Sequence, residues 1–162
     1  GLLDAQGKLD EAEQLLREVV EGRRRLLGAD HPATISAMSN LGGVLRDLGQ
    51  LAEAESLGAE SVARARRTSP PGHWTIGVFI SHYGRTLAAR GRFADAEPLL
   101  LEAFDIVRES MGESHQRTID IMRLLEAFYQ QWHTAEPDQE YDARAEQWRR
   151  KLEASEHQTE RP

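Results

Sequence analysis

The sequence predicts an all-α protein, a right-handed solenoid of about seven helices arranged as antiparallel pairs. Three observations lead to this prediction. The segment GKLDEAEQLL at Gly7 returns as GQLAEAESLG at Gly49 and as GRFADAEPLL at Gly91, each time 42 residues further on. Apolar residues around these segments recur at spacings of three and four, as one face of a helix does. The links between the predicted helices are so short that neighbouring helices must run antiparallel.

The first helix of each pair follows a histidine. Residues 27–45 align after 42 residues with residues 69–87, and after 42 more with residues 111–129, so that His31, His73 and His115 share one register. In the first copy the apolar face of this helix is formed by Ile35, Met38, Leu41, Gly42, Leu45 and Leu48. We expect the three histidines to stand at helix starts, with Pro32 just inside the first helix, where its missing N–H costs nothing.

The second helix of each pair begins in the recurring segment. Its apolar positions in the first copy are Leu9, Ala12, Leu15, Leu16, Val19 and Val20. In the third copy they are Phe93, Ala96, Leu99, Leu100, Ala103 and Phe104. Gly49 and Gly91 are predicted helix stops, because glycine adopts the left-handed conformation at low cost.

Glycines also occur inside the predicted helices. Gly42 and Gly84 each cost about 1 kcal/mol relative to alanine, so we expect a partner helix to approach closely there. The small residues Ala12, Ala54 and Ala96 are the predicted contacts. Gly58 stands where the other copies have leucine, which predicts either a void or the entry of a large neighbouring side chain.

Helix pairs of this size cannot cover their own apolar faces, and stacking them buries a continuous core. We expect one array over residues 1–154. Its units are the second helix of a truncated repeat (1–28), two repeats (29–68 and 69–110), the first helix of a last repeat (111–134) and a capping helix (135–154). We expect residues 155–162 to form a disordered tail.

These motifs resemble the tetratricopeptide repeat (TPR), in the 42-residue form found in kinesin light chains and in many bacterial signalling proteins. The resemblance is carried by NLG and HYG in the first helices, by the EAE, EAE and DAE triplets, and by the LGADHP connector. SPPGHW and AEPLLLEAF resemble the closing repeats of arrays attached to bacterial Ser/Thr kinases. The resemblance implies a protein-interaction fold, and we expect the chain to be a fragment of a larger bacterial signalling protein.

Composition excludes several classes of function. The formal charge of −7 disfavours nucleic acid as a partner, and the absence of cysteine excludes disulfides and zinc-thiolate sites and suits a reducing compartment. No apolar run approaches the ~18 residues of a membrane span, and no signal peptide is recognisable. We therefore expect a cytoplasmic protein that contacts neither membranes nor nucleic acid.

Candidate chemical sites are few. The three histidines recur one repeat apart, on the order of 10 Å, so they cannot share one metal ion whose bonds are ~2.1 Å long. The basic runs at residues 23–25 and 64–67 lie at helix ends, where they complement the helix dipole, and no aromatic residues interleave with them. Ser81 and His82 are helix neighbours that point about 100° apart, so they do not form a dyad. We expect no catalysis, no cofactor and no metal.

The remaining candidate is the concave groove that first helices line in TPR arrays. Carried over by register, the groove residues are Ser36, Ser39, Asn40, Gly43, Arg46, Asp47, Val78, Ser81, His82, Arg85, Ala89, Asp120, Arg123, Ala127, Gln130 and Gln131. Asn40 matches an asparagine that kinesin-light-chain-like repeats use toward a peptide backbone, but His82 and Leu124 follow at that position.

Two interpretations of the groove arginines remain open. Arg46, Arg85 and Arg123 could present guanidinium groups to the carboxylates of an extended acidic peptide. Alternatively, they are solvated or paired with Asp47 and Asp120.

Two functions follow from the sequence. The first is a non-catalytic module that binds a peptide or a partner helix in the groove, where a rigid surface loses little entropy on binding. The second is a structural spacer or self-association segment without a peptide ligand. Its homo-oligomer would form through the truncated N-terminal face, at Leu2, Leu3, Leu9 and Leu16.

Overall fold

The computed structural model describes residues 2–159, with side chains for residues 6–138 and 140–155. Within that part the chain forms seven helices and no strand, so the all-α prediction is confirmed. The helices are α1 (Leu2–Leu27), α2 (Pro32–Asp47), α3 (Leu51–Thr68), α4 (Trp74–Ala89), α5 (Phe93–Met111), α6 (Gln116–Ala135) and α7 (Gln139–Thr159).

Each helix packs against the next one along the chain, as stacked hairpins require. The even-numbered helices also contact one another, since α2 packs on α4 and α4 on α6. The backbones of α1 and α3, and those of α3 and α5, do not approach each other in this way in the described residues. The even-numbered helices therefore form one continuous inner layer, and the odd-numbered helices form an outer layer.

Histidine side chains begin the three even-numbered helices. The Nδ1 atoms of His31, His73 and His115 accept hydrogen bonds from backbone N–H groups two residues later, at 3.1, 3.4 and 3.1 Å. An imidazole nitrogen thus takes the role that serine or aspartate usually fills at a helix N-cap. The recurring histidines satisfy helix ends, as their position in the repeat predicts.

The buried core forms two clusters, a smaller one of residues from α1, α2 and α3 and a larger one that reaches from α2 to α7 and ends in aromatic residues. Leu100, Ala103 and Val107 of α5 are fully buried. At the far end the Trp132 ring stacks on Phe93 and on Tyr141 of α7, with ring centroids 5.7 and 4.1 Å apart. These contacts fix α7 against α6, in the position of the expected capping helix.

Helix α7 extends further than the sequence predicts. The sequence predicts a disordered tail from residue 155, but α7 continues to Thr159. Ser155 is buried, and its Oγ lies 3.9 Å from Sδ of Met122, so the end of α7 still packs on α6. The expectation for residues 160–162 lies outside the described part of the chain.

Candidate functional site

Three shallow depressions lie side by side along the inner layer of helices, and together we call them the groove. One, of about 450 Å³, is lined by α4 and α6, and its apolar part includes Val78, Ile121 and Leu124. The second lies between the same two helices, is also lined by Leu100 of α5, and reaches Arg46 of α2. The third lies between α2 and α4. Arg85 lines all three, so it marks the centre of the groove.

The structure brings most of the residues selected by register into the groove. These residues are Ser39, Asn40, Gly43, Arg46, Asp47, Val78, Ser81, His82, Arg85, Ala89, Asp120, Arg123, Ala127 and Gln131. Two others, Ser36 and Gln130, do not line it. The Ser36 hydroxyl donates to the Pro32 carbonyl, and the Gln130 amide donates to Glu126.

The structure also adds residues that register alone did not select. Arg117 at the start of α6 lines the α4–α6 depression, and its guanidinium lies 4.2 Å from the ring centroid of Trp74. This geometry is a cation–π contact. Arg117 follows the repeating His115 by two residues, and this position is the feature of the sequence that points to it. Register does not select Arg117, because the groove residues predicted in α6 begin three residues later, at Asp120.

Arg46 is the least exposed charged group of the groove. Its side chain is only 10% exposed, and its Nε and Nη2 atoms donate to Oδ1 of Asp47 at 3.0 and 2.8 Å. Its Nη1 atom is buried and has no hydrogen-bond partner among the described residues. A buried donor without a partner costs about 1–3 kcal/mol, and more when the group is charged. The unsatisfied Nη1 therefore favours an acceptor at this point of the groove.

Arg85 presents a second guanidinium to the same place. It makes no hydrogen bond or ion pair within residues 6–138 and 140–155, and its side chain is partly exposed and partly covered by the neighbouring helices. Burial and the neighbouring charge of Arg46 lower the pKa of Arg85, while Asp47 acts in the opposite direction. Two guanidinium groups thus lie near one carboxylate, which pairs with Arg46 alone, and their mutual repulsion would fall if an anion bound between them.

His82 and Ser39 meet across α2 and α4. His82 Nδ1 lies 2.9 Å from the Ser39 hydroxyl. The two residues are 43 positions apart in the chain, so the sequence alone does not predict this contact. Burial, followed by the charges of Arg85 and Arg46, lowers the pKa of His82 to about 4. Such an imidazole is a weak base at neutral pH, and Ser39 is only 3% exposed. This pair acts as a neutral hydrogen bond that joins the two helices.

The other interpretation of the groove arginines, that they pair with Asp47 and Asp120, holds for two of the three. Arg46 is paired with Asp47, and Arg123 lies 3.4 Å from Asp120. The two groove carboxylates are therefore engaged, whereas the Arg46 Nη1 atom and Arg85 keep unused donors.

The arginines of the second basic run, residues 64–67, all form ion pairs, whereas in the first run Arg24 pairs with Glu60 and Arg23 donates to the Ala33 carbonyl. Arg64 and Arg67 both contact Asp30, at 2.6 and 2.8 Å, and Arg66 contacts Glu102. Among the described residues no cluster of His, Asp and Glu could hold a metal ion. None of the seven helices, over the residues described, combines the length and apolar character of a membrane span.

Comparison with known proteins identifies the repeat. Two family models, both described as tetratricopeptide repeat, match residues 2–67 and residues 80–117. A kinesin light chain-like protein of Podosopora anserina, solved as nearly identical TPR-like repeats, superposes with a TM-score of 0.70 at 23% identity, over 98% of this chain and 72% of that one.

A variant of the Podosopora anserina protein superposes with a TM-score of 0.71 at 24% identity, over 94% of this chain and 71% of that one. At this level of identity the superpositions show the fold alone. No curated protein matches the chain.

Proposed function

Because this chain belongs to the tetratricopeptide repeat family, whose members are protein-interaction modules and typically non-catalytic scaffolds, we propose that its groove binds an extended acidic peptide of a partner protein. The observation that carries the proposal is the pair of guanidinium groups at the centre of the groove. Arg46 has an orphaned buried nitrogen, and Arg85 has no anionic partner of its own among the described residues.

A carboxylate satisfies both groups at once. It accepts from Arg85 and, after a small turn of the buried Arg46 side chain, from the Arg46 Nη1 atom, and it screens the repulsion between the two arginines. Hydrogen bonds between two charged groups are about twice as strong as neutral ones. The apolar surface beside Arg85, from Val78, Ile121 and Leu124, suits an aliphatic or aromatic side chain next to the acidic residue. The favoured ligand is thus an extended segment in which acidic and apolar residues adjoin.

A peptide array tests this function. Decapeptides containing zero to four Asp or Glu residues are probed with the wild-type chain, with Arg46→Glu and with Arg85→Glu. We expect wild-type binding to increase with acidic content, and each substitution to weaken it by at least tenfold. Arg150→Glu is the matched control, because Arg150 lies on α7, outside the groove, and is 75% exposed.

The proposal fails if binders survive both groove substitutions unchanged, or if Arg150→Glu weakens binding equally. Circular dichroism of each variant establishes that the helices remain intact. Loss of binding with retained helical content therefore reports on the groove itself.

A second function has one observation in its favour. Leu15, Val19, Leu26 and Leu27 of α1 are 62, 38, 79 and 48% exposed, which is unusual for large apolar side chains in a folded array. The apolar patch supports the spacer or self-association function, but through different residues than those expected. Leu9 and Leu16 are partly buried, Leu16 packs on the core, and Leu2 and Leu3 lie outside the residues whose side chains are described.

Light scattering tests that alternative. A dimer of this chain that becomes a monomer on Leu15→Asp supports self-association through α1. A monomer at all concentrations contradicts it.

A further inference from the structure

Ion pairs connect the outer helices at a constant separation along the chain, and we call them the ion-pair ladder. Arg17 contacts Glu53 at 2.7 Å and Arg24 contacts Glu60 at 3.5 Å, which joins α1 to α3. Arg66 contacts Glu102 at 2.7 Å and joins α3 to α5. In each pair the acid follows the arginine by 36 residues. The ladder therefore links α1 to α3 and α3 to α5.

The acceptor positions of the ladder continue into α1. One repeat of 42 residues ahead of Glu53 and Glu60 stand Glu11 and Glu18, which have the same seven-residue spacing. Both are exposed, and in the described part of the chain neither forms an ion pair or a hydrogen bond. Helix α1 thus presents two acidic groups in the places where α3 receives arginines.

Apolar side chains occupy the same open face of α1. Leu15 and Val19 are exposed, whereas the residues that match them in α5, Leu99 and Ala103, are partly and fully buried. In α5 the cover is the preceding helix, because a Cβ added at Gly77 of α4 would lie 2.9 Å from the Ala103 carbonyl oxygen. By the same register, an inner helix ahead of α1 would cover Leu15 and Val19.

We propose that α1 is a docking surface for one further repeat hairpin joined directly ahead of it. The outer helix of that hairpin presents arginines seven residues apart to Glu11 and Glu18, and its inner helix covers Leu15 and Val19. Charge complementarity in a fixed register supports this docking surface, and so does the apolar face of α1, whose counterpart in α5 is buried.

A second copy of this chain is a poor occupant of the face. Its ladder arginines on α1 and α3 are already paired. The last helix of that copy is out of register with the repeat by three residues. Its buried Ala145 and Trp148 follow the matching Leu100 and Ala103 of α5 by 45 residues, whereas the repeat is 42 residues long. The exposed Glu153 then stands in the place of Arg108, so copies stacked end to end would bring Glu153 toward Glu18.

The test adds one hairpin to the chain. Residues 1–48 are placed directly ahead of Gly7, which puts the added copies of Arg17 and Arg24 36 residues before Glu11 and Glu18. We expect the lengthened chain to melt at a higher temperature than the original and to bind less of an apolar dye. In the lengthened chain, Glu11→Lys with Glu18→Lys should lower Tm by about 3 °C at low salt, a value set by the modest strength of exposed ion pairs.

The controls separate the ladder from general charge effects. The double substitution should leave Tm of the original chain unchanged, and Glu21→Lys, on an exposed residue of α1 outside the ladder, should change neither chain. Replacing the two added arginines by glutamate should restore Tm of the doubly substituted chain. At 1 M salt the difference should vanish, because the Debye length is then about 3 Å.

The proposal is overturned if the double substitution lowers Tm equally in both chains, or if the exchanged charges do not restore Tm. It is also overturned if the added hairpin does not raise Tm. A dimer of the original chain that Leu15→Asp dissociates would also overturn it, because a second copy would then be the occupant. Peptide binding by the groove is measured separately with the original chain, so the two proposals fail independently.

Discussion

Tyr83 of α4 packs on Gly58 of α3, and a Cβ built on Gly58 would lie 3.0 Å from Tyr83 Cδ2 and 3.4 Å from Tyr83 Cα. The large side chain that Gly58 admits therefore comes from the next hairpin, and it occupies the place of a side chain on Gly58. The same pair of positions holds Leu16 with Leu41 and Leu100 with Leu125 in the neighbouring units. One interface combines a glycine with a tyrosine where the others use two leucines.

This exchange of volume predicts the behaviour of a double variant. Gly58→Leu alone should destabilise the fold by about 1–3 kcal/mol, because the added side chain overlaps the Tyr83 ring. Tyr83→Leu alone leaves a cavity and is also destabilising. The double variant restores the leucine pair and should be more stable than either single variant. Urea denaturation of the four proteins gives the coupling energy, and additive losses would show that the two positions act independently.

The internal glycines of successive repeats should respond oppositely to alanine. A Cβ at Gly84 would lie 2.7 Å from Cδ2 and 2.9 Å from Cγ of the fully buried Leu100, so Gly84→Ala should cost about 1–3 kcal/mol. At Gly42 the nearest atoms are 3.5 Å or more away, at ordinary contact distance, and alanine stabilises a helix by up to about 1 kcal/mol relative to glycine.

Thermal melts of Gly42→Ala and Gly84→Ala test this difference, and each variant is the control for the other. A loss of stability in both variants would mean that α3 approaches Gly42 more closely than the structure has it. The expected close approach at Gly42 is thus an ordinary contact, whereas the approach at Gly84 is tight.

His82 should make stability fall in mild acid. Its pKa is about 4 in the folded protein, against an ordinary value of 6.5 in the unfolded chain. Between these values the unfolded chain binds a proton that the folded protein does not, so stability is lost as pH falls from 6.5 toward 4. The predicted loss between pH 7 and pH 5 is about 2 kcal/mol.

His82→Gln retains a polar partner for Ser39 and removes the titrating group. We expect the difference in unfolding free energy between pH 7 and pH 5 to be smaller in this variant than in the wild type. An unchanged difference would assign the acid sensitivity to other groups.

Most of the fold was predictable because it depends on translational periodicity. Apolar spacing and the recurrence of His31, His73 and His115 placed the helices within a few residues of their observed bounds. The end of α7 was not predictable from the sequence, because its packing depends on a contact between Ser155 and Met122 that no local pattern indicates. The residues of the groove were selected by register, and their binding function stays a prediction.

The sequence by itself determined the number of helices, their antiparallel order and the register that brings residues 42 apart to equivalent places. Only the tertiary structure decided which polar groups lack partners. A guanidinium such as that of Arg46 has several donors, and their satisfaction depends on distances of a few tenths of an ångström between helices. Repeat periodicity fixes which residues are neighbours, but the charge balance of the groove arises from three-dimensional positions that vary from one repeat to the next.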